Sequence, residues 1–124
     1  MKLKFILMKF TEKIQKEVIF EIIIFFVVIF TISLLWRYNT ILFIALIIEC
    51  IIIVKLWHQK YDIVYFIVGA ILGPLGEIVC IYYGTWIYIN PNFLGIPVWL
   101  PLVWGIASII LMRIARTIIK MMRK

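Results

Sequence analysis

The chain has 124 residues, of which 66% are hydrophobic and 15% charged, and its mean hydropathy is +1.16. Soluble domains are roughly half apolar, so this composition excludes an ordinary soluble fold. The net charge of +7 comes from Lys and Arg gathered at the ends of apolar runs, which points to a membrane and away from a nucleic-acid-binding face.

In lipid every backbone N–H and C=O must be bonded within the chain, so apolar runs of about 20 residues become helices despite the β-branched isoleucines. The sequence therefore predicts an all-α integral membrane protein. It has four transmembrane helices, an amphipathic N-terminal helix and a basic C-terminal helical extension.

Residues 1–17 read as an amphipathic interfacial segment. Leu3, Ile6, Leu7, Phe10 and Ile14 recur at helical spacing, while Lys2, Lys9, Lys13 and Lys16 share another face. The apolar run from Phe5 to Met8 is too short for a secretory signal, so a retained N-terminus is expected. A four-helix transmembrane domain follows over 18–112. Its first two spans, 18–36 and 40–57, are joined by Arg37-Tyr38-Asn39, a turn short enough to force an antiparallel pair. The third span, 63–89, follows the turn from His58 to Asp62. The fourth, 98–112, follows the loop from Asn90 to Pro97, and Pro97 and Pro101 suit a first turn whose N–H groups lack partners. In the basic tail, 113–124, Arg113, Arg116, Lys120, Arg123 and Lys124 fall on one roughly 100° stripe of a continuing helix. Arg113, Arg116 and Lys120 are expected to contact anionic lipid headgroups.

Four crossings put every Lys and Arg except Arg37 on one side, which predicts a multi-pass cell-membrane protein with both termini cytoplasmic. Trp36, Tyr38, Trp86, Tyr88 and Trp99 would mark the outer headgroup belt, and Trp57, Tyr61 and Tyr65 the inner one.

Three glutamates interrupt apolar segments, where a charge at mid-helix costs about 2.5–3.5 kcal/mol on the insertion scale. Glu21 is one turn into its span and is expected to snorkel to the interface. Glu49 and Glu77 lie deeper and form the candidate intramembrane site. Around Glu77, Gly69 and Gly73 make a small-x-x-x-small pair for close helix packing. Gly73, Cys80 and Gly84 share the face of Glu77, and Pro74, next to Gly76 in this Gly-rich stretch, removes the donor for the Ala70 carbonyl and suggests a kink that would free it near the midplane. Trp86, Tyr88, Trp99 and Trp104 could line an outer pocket above Glu77. His58 reads as a turn residue. Cys50 and Cys80 fall inside spans, and no metal-ligand set, cofactor motif, phosphate loop or catalytic nucleophile is present in the sequence.

The order Glu77, Gly84-Thr85-Trp86-Ile87-Tyr88, Gly95-Ile96-Pro97 and Trp104 is similar to a layout in integral membrane proteins of carotenoid biosynthesis. The likeness covers the third span, the loop and the fourth span. The Glu77-to-Gly84 spacing differs, and no function is carried over from it.

Three function classes fit this chain: a carrier with a midplane carboxylate site on a Gly/Pro-broken third helix, a helper subunit of a membrane complex, and an enzyme acting on a prenyl chain or lipid. The expected partners are the bilayer, with its anionic headgroups, and either a second copy packed through the glycine stripe or another membrane protein.

Overall fold

The computed structural model describes residues 2–56 and 59–123. It is a bundle of four helices, α1 (Lys2–Leu35), α2 (Asn39–Leu56), α3 (Asp62–Tyr82) and α4 (Leu100–Met122). All four are long and apolar enough to cross a membrane, and large apolar side chains such as Phe30, Leu72 and Leu111 stay more than 60% exposed. The chain is an all-α, multi-pass membrane protein. Trp57 and His58, assigned above to the inner belt and a turn, lie outside the described residues.

The N-terminal amphipathic segment and the first span are one continuous helix, not two elements. No Gly or Pro interrupts Lys2–Leu35, and Thr11 returns its hydroxyl to Leu7 O at 2.9 Å, so nothing ends the helix near residue 17. Its 34 residues extend roughly 50 Å, well beyond a hydrocarbon layer of about 30 Å. The third helix is shorter than its apolar run. It stops at Tyr82 because Gly84 takes φ 82°, and the N–H groups of Thr85 and Gly84 turn back onto the Cys80 and Ile81 carbonyls. This is the glycine-terminated end that a left-handed residue permits. The expected break at Pro74 is absent: α3 remains helical from Asp62 to Tyr82 with Pro74 buried inside it.

The last helix is the hub. Helices α1, α2 and α3 each pack on α4 and α1 packs on α2, whereas among the described residues the α3 backbone does not come close to that of α1 or α2. Glycines set how closely α3 approaches. A Cβ at Gly69 would overlap Ser108, and one at Gly73 would overlap the Trp104 indole, while Gly105 on α4 receives the Phe66 ring. Of the α3 glycines, Gly69 and Gly73 thus face the chain's own fourth helix, while Gly76 has open space beside it. Val28, Leu42, Leu46, Ile53, Ile106 and Ile110 form the core between α1, α2 and α4.

At the end away from the basic termini, an asparagine cluster fastens the α3–α4 loop to the α1–α2 turn. Asn39 Nδ2 donates to Asn90 O and Asn92 Oδ1, both at 2.7 Å. Asn39 Oδ1 accepts from Trp99 Nε1 at 2.9 Å and Asn90 Nδ2 at 3.1 Å. Asn90 Nδ2 also donates to Trp36 O. The loop reverses at Leu94-Gly95, both with positive φ, where Phe93 and Ile96 pair.

Candidate functional site

Glu77 is half-buried on α3 and accepts a hydrogen bond on each carboxyl oxygen. Tyr88 Oη donates to Oε1 at 2.5 Å, and Trp104 Nε1 donates to Oε2. Both contacts follow from glycines. With no side chain at Gly73, one turn before Glu77, the Trp104 indole can lie against α3 and reach the carboxyl. The turn at Gly84 then folds the loop back, so that Tyr88 overhangs the same group. Tyr88 packs edge-on against the buried Trp99 at 6.2 Å and 89°. Burial first, then the bond to Glu77 and its charge, hold the Tyr88 hydroxyl well above the ordinary tyrosine range, so it serves as a neutral donor. Trp86 is 40% exposed. Among the described residues no ion pair involves Glu77.

Along α3, Glu77 is about 22 Å from Asp62 and about 8 Å from Tyr82. It therefore sits in the loop-side third of the helix and not at its middle. Gly76 beside it has open space, since a Cβ there would meet nothing within 4 Å.

Glu49 belongs to a different place. It accepts from Thr31 Oγ1 on α1 at 2.5 Å, and among the described residues its Oε2 is buried without a partner. Glu49 and Glu77 have separate partners on helices whose backbones do not approach closely, so the structure does not bring them together.

The basic end holds a second polar cluster. Arg113 is only 2% exposed and pairs with Asp62, which is 1% exposed; Nε reaches Oδ1 at 3.4 Å while Nη2 contacts Oδ2. Asp62 Oδ2 also accepts from Gln59 N at 3.0 Å. The assignment of Arg113 to headgroups is therefore corrected: it points inward, because the one aspartate of the chain opens α3 directly opposite. Glu21 is corrected too. It is 1% exposed and accepts from Thr117 Oγ1 at 3.3 Å instead of snorkelling outward. One turn along each helix, Lys120 pairs with Glu17 at 3.5 Å. Arg116 is held by Gln59 Oε1 at 3.2 Å and lies over the Tyr65 ring at 5.2 Å.

Sequence reasoning missed the Asp62–Arg113 pair and the asparagine cluster. A signal for the first existed. Arg113 directly follows the fourth apolar run, and a guanidinium there calls for a nearby carboxylate. The asparagines carry no periodic signal, since their partners are more than 50 positions apart in the chain.

Cys50 and Cys80 are free thiols, and no cluster of metal-ligating side chains occurs among the described residues. Comparison with known protein families, with characterised proteins and with solved structures finds no match for this chain.

Proposed function

We propose that the protein binds, and by exchange carries, a hydrophobic organic cation in the cell membrane, with Glu77 as the group that receives it. The observation that supports this reading is a half-buried carboxyl with a hydrogen-bond donor on each oxygen and no basic partner among the described residues. Two donors aimed at its oxygens complement a carboxylate, and a carboxylate in a lipid-embedded helix calls for a cation beside it. Tyr88, Trp99 and Trp104 supply aromatic rings, whose faces attract cations. The Lys and Arg bias supports an orientation with both termini cytoplasmic, which sets Glu77 in the outer half of the layer.

The test is titration of the purified protein with tetraphenylphosphonium, followed by calorimetry and tryptophan fluorescence. Expected are saturable binding and at least a tenfold loss in Glu77→Gln with helix content by circular dichroism retained. Wild-type protein that does not saturate, or a Glu77→Gln variant that binds equally well, overturns the reading.

A further inference from the structure

At the basic end, α1, the α2–α3 turn and α4 enclose a cleft of about 490 Å³. Its walls carry Lys13, Lys60, Arg116 and Lys120 against one carboxylate, Glu17, with Gln59 beside them. Four cations and one anion among the lining residues leave a net charge of +3, and Asp62, 3.8 Å from Arg116, leaves that surplus in place because it is already paired with Arg113. Three of the four cations have partners. Arg116 is fixed by Gln59 and by the Lys60 carbonyl at 3.5 Å, and among the described residues its Nε is buried without a partner. Lys120 is steadied by Glu17, and Lys60 lies over the Tyr61 ring.

The cleft does not end in polar surface. Leu56 lines both this cleft and a groove of about 160 Å³ between α1 and α2, whose walls are Phe20, Ile24, Val27, Ile52 and Ile53 with Glu49 as their one polar residue, its Oε1 taken by Thr31. On α1 the sequence Lys13, Glu17, Phe20, Ile24 and Val27 steps by three and four residues, so a single helical face runs from charged to apolar. A cationic cleft that shares a wall with a largely apolar groove along a membrane-spanning helix matches an amphipathic ligand better than a soluble anion.

We infer that this cleft and groove bind one anionic phospholipid, with its phosphate among Lys13, Lys60, Arg116 and Lys120 and an acyl chain along the α1–α2 groove. Charge complementarity selects the headgroup, and the shared Leu56 selects a lipid. Arg113 takes no part, because Asp62 occupies it.

Native mass spectrometry of the full chain in neutral detergent tests the inference. The probes are phosphatidylglycerol and phosphatidylcholine with identical acyl chains, and millimolar inorganic phosphate as competitor. The expected result is one retained phosphatidylglycerol, favoured about tenfold or more over phosphatidylcholine and not displaced by phosphate. Lys13 and Lys60 are exposed, so the Lys13→Gln/Lys60→Gln double variant should fold normally by circular dichroism and lose that preference by about tenfold. Ile24→Trp, which fills the groove, should weaken retention without altering net charge. Equal retention of the two lipids, or unchanged retention in the double variant, overturns the proposal. Displacement by inorganic phosphate also overturns it, in favour of a soluble-anion site.

Discussion

Replacing Asp62 by Asn tests whether Arg113 belongs to the protein or to the lipid. The change keeps the size of the side chain and an oxygen for the Gln59 N–H, and removes only the charge facing a guanidinium that is 2% exposed. Stranding one member of a buried pair costs about 3–5 kcal/mol, which is roughly two to three and a half decades in the folding equilibrium at 1.4 kcal/mol per decade. Arg116 adds little, because it is 3.8 Å from Asp62 and 31% exposed. Arg113→Met should be similarly harmful, whereas the Asp62→Asn/Arg113→Met double variant should recover most of the loss, since no charge is left unpaired. Equilibrium unfolding in mixed micelles, followed by tryptophan fluorescence, gives all four corners of the cycle. A loss below about 1 kcal/mol for Asp62→Asn would mean that Arg113 turns to the headgroups at no penalty, and the buried pair would no longer account for the closure of the basic end.

Gly73→Ala forces a Cβ into the Trp104 indole and should destabilise by about 1–3 kcal/mol, with a shift in tryptophan emission as the indole leaves Glu77. Gly76→Ala, three residues on, meets nothing within 4 Å and should be neutral or stabilising by up to about 1 kcal/mol in the same assay. Asn39→Ala removes the hub of the loop cluster; it should cost about 1–3 kcal/mol and speed proteolysis within residues 83–99. Tyr88 binds its proton more tightly folded than unfolded, so its contribution to stability is complete below about pH 10, the unfolded value, and is lost as pH rises through the raised folded value. Tyrosinate absorbance near pH 11 should accordingly be the same in wild type and Tyr88→Phe, and a reduced signal in the variant refutes the assignment.

The four helices were legible because length and hydropathy alone demand them, and their order and number follow from the polar turns at 37–39 and 58–62 and the loop at 90–97. The end of α3 was not legible. Val79 to Ile89 is as apolar beyond Gly84 as before it, and only the backbone conformation of that glycine stops the helix. Nor did composition reveal that Lys2–Leu35 is one rod, since a change from amphipathic to uniformly apolar character alters the surroundings of a helix without interrupting its hydrogen bonds. Glu77, Tyr88 and Trp104 each stood out individually, as a carboxyl in an apolar run, a loop aromatic and a tryptophan deep in a span. Their meeting on one carboxyl depends on where the loop folds back, which no periodicity encodes. Arg113 was misjudged for the opposite reason: a regular basic stripe along the tail concealed that one of its members faces inward.

Because α4 is the common partner of the other three helices, the order of synthesis matters. While the chain emerges, α1 and α2 can already pair, but α3 enters the membrane with nothing to pack against. Asp62 then lacks Arg113, Glu77 lacks Trp104, and the surfaces at Gly69 and Gly73 stay bare until α4 has been inserted. A chain truncated before Leu100 would leave α3 as a prime target for membrane quality control, and insertion of α4 is the step that shields it.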